Sequence, residues 1–298
     1  MLRSMYAGIS GMRGFQTKLD VVGNNIANVN TSGFKKGRVT FQDMMSQTMS
    51  GAQAPTTIRG GINPSQVGLG SQVGSIDNIQ TQGNRQTTNR TLDMALEGDG
   101  MFVLGRGLDA SDDVDMQASD ISFSRSGNFY LDDDGYIVNP NGLYLLGEGA
   151  TADANGDMAL SGDLSRIQIP ANAASFSIAA DGTVNYVDEN NNVQVAGQIR
   201  LASFSNPGGL QKSGSNTFQL TNNSGVFTDD GVFNNLADLV IPESNGSASV
   251  VSGALEMSNV DLAEEFTEMI TAQRGFQANT RIITTSDEIL QELVNLKR

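Results

Sequence analysis

LRSMYAGISGMRGFQTKLDVVGNNI (Leu2–Ile26) and LAEEFTEMITAQRGFQANTRIITTSDEILQELV (Leu262–Val294) stand at opposite ends of the chain and carry the same half-filled heptad. In the first, Met5, Met12, Leu19 and Ile26 recur every seventh residue, while the companion positions read Leu2, Ile9, Gln16 and Gly23. In the second, Leu262, Met269, Phe276, Ile283 and Leu290 repeat, while Phe266, Gln273, Thr280, Asp287 and Val294 are mixed. One apolar position per seven, with a partly polar companion, gives a narrow seam that suits helix pairing and is poor as a globular core. The expected fold is therefore α+β: N- and C-terminal helices form a coiled-coil stalk, and everything between them is an inserted all-β domain.

Charge points the same way. Residues 1–50 hold six bases against Asp20 and Asp43, net +4, whereas residues 255–298 hold eight acids against four bases, net −4. Exposed ion pairs contribute only about 0.2–1 kcal/mol each, so they set partner and orientation while burial supplies the energy.

The 298 residues allow one large or two ordinary domains. The 34 glycines, six prolines, absence of Trp and 6% aromatic content imply short strands, many turns and a modest core. The net charge of −15 arises mainly in the middle, where no basic patch could neutralise phosphates, so nucleic acid is disfavoured as a partner. With no Cys and no His there is no disulfide framework, no thiolate metal site and no Ser-His-Asp or Cys-His nucleophile. No cofactor or metal is expected. The first residues show no apolar run or cleavage pattern of a Sec signal peptide, and no stretch has the roughly 18 apolar residues of a membrane span.

Along the chain, a first helix is expected from about Ser4 to Ala27 or Asn28, ended by Asn28-Val29-Asn30-Thr31-Ser32-Gly33. Val39–Met49, with Phe41, Met44, Met45 and Met49, reads as a short helix, and Gly51–Gly74 as an extended, Gly-rich linker. Strands are expected at Ser75–Gln80, Thr91–Ala95, Gly100–Leu104, within Ser122–Gly147, and at Ile167–Ile169, Ser175–Ile178, Val184–Val187, Val193–Phe204 and Thr217–Leu220. The last helix starts after Asn259 or Asp261, either of which can cap it. The resulting division is a terminal helical domain of residues 1–30 plus 258–298, an extended region of 31–74 plus 246–257, and a β-rich outer domain of 75–245. Such a layout fits a filament subunit, whose termini build an axial tube while the insertion faces outward.

Paired carboxylates at Asp132, Asp133 and Asp134, or at Asp109, Asp112, Asp113 and Asp115, could in principle serve hydrolysis. Asp-Asp-Asp-Gly between alternating strands reads better as a hairpin turn, the second cluster as a solvated loop, and no enzyme is expected. Calcium ligation by Asp132–Gly135 or by Asp153-Ala154-Asn155-Gly156-Asp157 lacks the bidentate Glu twelve residues from the loop start. A calcium-binding or adhesin-like β protein remains the reading outside any family, and it leaves both heptad termini without a purpose.

Asn24-Asn25-Ile26-Ala27-Asn28 followed by Thr31-Ser32-Gly33-Phe34-Lys35 resembles the N-terminal signature of the bacterial flagellar rod and hook axial proteins. Thr91–Leu96 with Gly98-Asp99-Gly100-Met101-Phe102, and Arg125-Ser126-Gly127-Asn128-Phe129, resemble two internal blocks of that family, Met101 standing where an aromatic is usual. Ser258-Asn259-Val260-Asp261 through Phe266, with Gln273-Arg274-Gly275-Phe276-Gln277-Ala278-Asn279, resembles its C-terminal helix. Four blocks in order are far more specific than any one. The resemblance implies a subunit that polymerises with itself and with other axial proteins (rod, hook cap, hook–filament junction). It also implies export through the flagellar type III apparatus without a cleaved signal peptide and residence in the extracellular flagellum. Within the family the hook protein of Gram-positive type, a flexible joint transmitting motor torque, is the first expectation and the distal rod protein the second. The nine seam residues Met5, Met12, Leu19, Ile26, Leu262, Met269, Phe276, Ile283 and Leu290 are expected to line the inner tube, with Gly51–Gly74 bridging adjacent subunits.

Overall fold

The computed structural model describes residues 2–106, 120–152, 158–189, 191–226, 233, 236–244 and 246–296. The chain divides into two compact units, the first made of Met1–Asn28, Lys36–Ile79 and Val260–Arg298, the second of Val29–Lys35 and Gln80–Asn259. Among the described residues, two helices lie near the ends of the chain and every other regular element except two single 3-10 turns is a strand, which makes the fold α+β.

In the first unit, helix α1 (Leu2–Ala27) runs antiparallel to helix α2 (Leu262–Leu296). The direction follows from successive neighbours: the Cα of Gly8 lies against Ile283, Gly11 against Asn279 and Phe15 against Gly275. Asp261 caps α2, its Oδ1 accepting from the N–H of Ala263 at 2.8 Å, and Glu264 and Glu265 occupy the first turn, where the helix dipole favours acids. Four strands complete the unit: β1 (Gly37–Asp43), β2 (Ser46–Ser50), β3 (Ser65–Gly68) and β4 (Ser71–Asn78). β1 pairs antiparallel with β4, and β2 with β3.

Here the sequence expectations need correction. No helix forms over Val39–Met49. Arg38–Gln42 pairs with β4 in an antiparallel ladder whose register shifts between Thr40 and Phe41, and Phe41 lays its ring over Gly14 of α1. The stretch read as a linker carries β3 and the start of β4, and Ser75–Asn78 belongs to this ladder and not to the β-rich unit.

In the second unit, the antiparallel strands 175–178, 183–187, 193–199, 144–152, 101–106, 120–124, 217–219 and 211–214 follow one another across the main sheet. Its central strand is apolar on both faces: Phe102 and Leu104 enter one core cluster, Met101 and Val103 the other. Met101, the departure from the family pattern, is buried. The strand at 158–166, which Ala159-Leu160-Ser161-Gly162 did not signal, pairs with 144–152. Asp132–Gly135 is a tight turn, the N–H of Gly135 donating to the carbonyl of Asp132 at 2.9 Å between the short strands 130–131 and 137–138. The acidic cluster Asp109–Asp115 and the loop Asp153–Asp157 lie outside the described residues.

Candidate functional site

Two constellations, one in each unit, bring the sequence blocks together. In the first unit the α1–α2 contact is made by small residues. A Cβ added at Gly11 would lie 2.8 Å from Nδ2 of Asn279, and one at Gly275 would lie 2.6 Å from the Phe15 ring. Such spacing lets the helix backbones approach closely. Buried on α2 are Glu265, Ala272 and Ser286, seven or fourteen residues apart. The second seam position of α2 is thus Glu265-Ala272-Asn279-Ser286, one residue from the mixed register at Phe266.

The expected seam residues flank this contact. Met5, Met12, Leu19 and Ile26 on α1 and Met269, Phe276, Ile283 and Leu290 on α2 are half-buried, while Leu262 is exposed. Lys18 pairs with Glu268 at 3.3 Å and Lys36 with Glu264 at 2.8 Å, so basic and acidic termini do meet. Gln273 and Arg274 point to solvent.

Asn25 of the first block is fully enclosed and spends its amide on three partners. Its Nδ2 donates to the Gly37 carbonyl at 2.9 Å and to Oε2 of Glu265 at 3.1 Å, and its Oδ1 accepts from the Gly37 N–H at 3.0 Å. A single side chain therefore fixes the end of α1, the start of β1 and the first turn of α2. Burial pushes the Glu265 carboxyl above its ordinary range, against the pull of the Asn25 hydrogen bond. Asn28 donates to Asn24 and so closes the last turn of α1, while Ala27 is exposed.

In the second unit, Lys35 is 1% exposed and Glu256 2%. Oε1 of Glu256 accepts from Lys35 Nζ at 2.7 Å and from the Gly83 N–H at 3.0 Å, and Oε2 accepts from Nε of Arg125 at 2.8 Å. Arg125 spends its remaining nitrogens on the carbonyls of Gly98 and Gly100, and Lys35 donates also to the Thr81 carbonyl at 2.8 Å. Burial works against the Glu256 carboxylate, yet Arg125 and Lys35 outweigh it and hold the group below its ordinary range. Burial likewise lowers Lys35, with Glu256 pulling the other way.

The segment leading to Lys35 is gripped from several sides. Gly33 adopts φ +69°, and a Cβ there would lie 2.6 Å from the Ser126 backbone nitrogen, so only glycine fits. Its N–H donates to the Glu256 carbonyl at 2.8 Å, and the Phe34 N–H closes on Thr31. Lys212 stands 4.7 Å from the centre of the buried Phe34 ring and donates to the Lys35 carbonyl. Beyond the last strand Ser258 is buried, Asn259 donates to Thr81, and Val260 begins the last segment of the first unit. Sequence reasoning counted Glu256 only among the acids of the C-terminal segment, did not single out Gly8 and Gly11, and read Glu265, Gly275 and Arg125 only as letters of their blocks.

Family models match three segments: residues 5–35 ("Flagella basal body rod protein"), residues 95–186 ("Flagellar hook protein FlgE/F/G D1 domain") and residues 251–296 ("Flagellar basal body rod FlgEFG protein C-terminal"). The flagellar basal-body rod protein FlgG of Bacillus subtilis is 50% identical over 298 residues, covering all of both chains. The chain belongs to the flagellar rod and hook axial protein family. The flagellar hook protein FlgE of Borreliella burgdorferi is 33% identical over 464 aligned positions, with all of both chains covered. FlgG of Caulobacter vibrioides is 34% identical over 99% of this chain and 100% of its own. As a member of this axial family the chain is a structural component of the flagellum, in the rod–hook part of the axis. The buried ion cluster draws Lys35, Arg125 and Glu256 from the three matched segments in turn.

Proposed function

We propose that this axial subunit builds the rod, polymerising with itself and with neighbouring axial proteins through its terminal helices. The observation that carries the rod placement is length: rod relatives align with the chain over 292 to 303 positions, whereas hook relatives need 464 and 473, so they carry long insertions that this chain lacks. The hook is the second reading, favoured by hook proteins that match across the whole chain. In either place the α1–α2 pair acts as a coiled-coil-like element of the inner tube, with Met5, Met12, Leu19, Ile26, Leu262, Met269, Phe276, Ile283 and Leu290 as its seam. Apolar side chains left open on α2, Phe266 and Ile270 on one side and Ile282 and Ile289 on another, supply the lateral surface for further helices. The β-rich unit, 75–245 in the sequence reading, is the outer layer, and residues 51–74 bridge subunits. Export through the flagellar type III apparatus without a cleaved signal peptide accompanies this reading.

Basal bodies purified from a strain deleted for the gene test it. Rods truncated before their distal end support the rod placement, complete rods without hooks support the hook, and intact flagella overturn both. Leu19→Asp and Phe276→Asp abolish assembly while the β-rich unit stays folded; normal axial structures from either variant would sink the seam.

A further inference from the structure

Strands 144–152 and 158–166 of the β-rich unit line a cavity of about 140 Å³. The chain carries a net charge of −15, yet the described lining of this cavity holds one charged side chain, and it is a cation, Arg166. Arg85, Arg90, Arg125 and Arg200 of the same unit are each paired with an acid, whereas Arg166 makes no ion pair among the described residues. Its guanidinium lies instead 4.6 Å from the centre of the Tyr136 ring and 5.3 Å from that of Tyr144, and the two rings meet edge to face at 5.6 Å. A guanidinium resting on aromatic faces is held in place while its N–H groups, which point outward in its own plane, stay available, and that planar fork matches the oxygens of a carboxylate or a phosphate.

Neutral donors line the same space. Thr151, Ser161 and Ser165 contribute hydroxyl groups. The Ser161 Oγ accepts from the Asp163 N–H at 3.3 Å, a bond that leaves its own proton free to donate. Gln168 spends its Nε2 on the Asp134 carbonyl at 2.9 Å and so adds no donor. Gly149 keeps the space open: a Cβ there would run into the Ser165 Oγ. The backbone of Gly149 is not among those with positive φ, so this glycine answers a demand for room and not for conformation.

We propose that this cavity binds a small free oxyanion, a carboxylate or a phosphate, with Arg166 supplying the charge and the fork and Ser165, Ser161 and Thr151 the remaining donors. Size sets the class: clefts for drug-sized ligands run to roughly 300–1,000 Å³, whereas about 140 Å³ suits a single anionic group. Charge sets the sign, because no described acid of the lining opposes an anion there. A ligand held by the folded unit alone stabilises that unit by mass action, so occupancy reads out as stability as well as heat.

Calorimetric titration of the purified full chain tests it, with sodium acetate and inorganic phosphate as separate probes, ionic strength held constant with chloride, and acetamide as the neutral control. Saturable binding of acetate, phosphate or both is expected, with none of acetamide and a higher melting temperature of the β-rich unit in the bound anion; which probe saturates tells a carboxylate ligand from a phosphate one. Arg166→Gln weakens that binding about tenfold or more, the loss of hydrogen bonds to a charged group. Gly149→Ala, which leaves Arg166 in place and fills the space, weakens it as well. Where Arg166→Gln does not fold, Arg166→Lys decides, since it keeps the charge and loses the fork, and weaker binding is again expected. No saturable binding of either anion, equal binding of acetamide, or anion binding unchanged in the folded variants would each overturn the proposal.

Discussion

Glu256→Gln is the sharpest perturbation of the β-rich unit. The carboxylate accepts from Lys35 at 2.7 Å, Arg125 at 2.8 Å and the Gly83 N–H at 3.0 Å, all in a site where the three side chains are at most 6% exposed. Glutamine keeps the shape, but its amide turns one acceptor into a donor aimed at a cation and leaves two positive charges with no counter-charge. Breaking a buried pair in this way costs about 3–5 kcal/mol. At roughly 2–4 °C per kcal/mol for a unit of this size, the melting temperature falls by about 6–20 °C. The companion Lys35→Met leaves one carboxylate facing one guanidinium, a balanced pair, and removes an ammonium that burial already disfavours. Its cost is therefore well below that of Glu256→Gln. Calorimetry of both variants, with denaturant titration to confirm unchanged m-values, measures the difference. A Lys35→Met variant as damaged as Glu256→Gln would refute the charge-balance reasoning and leave simple packing as the explanation.

The two buried acids respond to pH with opposite sign. Glu256 lies below its ordinary value of 4.5 when folded, so its contribution is complete above that pH and is lost as acid protonates it; the gap between wild type and Glu256→Gln narrows on acidification. Glu265 lies above 4.5, so the folded chain takes up its proton first, and wild type gains on Glu265→Gln as the pH falls, both measured by stability titrations. Gly275→Val drives a side chain into the Phe15 ring and costs about 1–3 kcal/mol of overpacking, read as faster amide exchange in α1 and α2 with the β-rich unit unchanged. Gly33→Ala meets both a left-handed backbone and the Ser126 nitrogen, and lowers the melting temperature of the β-rich unit while leaving exchange in the two helices as it was.

Sequence by itself determined the elements whose cause is local. The two terminal helices, the Asp261 cap and the Asp-Asp-Asp-Gly turn each depend on neighbours within a few residues, and all took the expected form, whereas the buried register of α2 fell one residue from the expected one. The central strand of the main sheet was likewise legible, because its apolar run has no other use than burial on two faces. Over Val39–Met49 the methionines gave a helical reading, and the pairing of β1 with β4, 28 to 41 residues away along the register, overrode it. Tertiary structure alone decided that Asn25 would join Gly37 to Glu265, and that Lys35, Arg125 and Glu256 would share one carboxylate. The two carboxylates lie 131 to 240 residues from these side-chain partners, and a charged side chain carries no periodicity that announces its burial. Nothing short of the folded backbone, which brings the carboxylate to both cations and excludes water around them, selects that pairing from the chain's 18 bases and 33 acids.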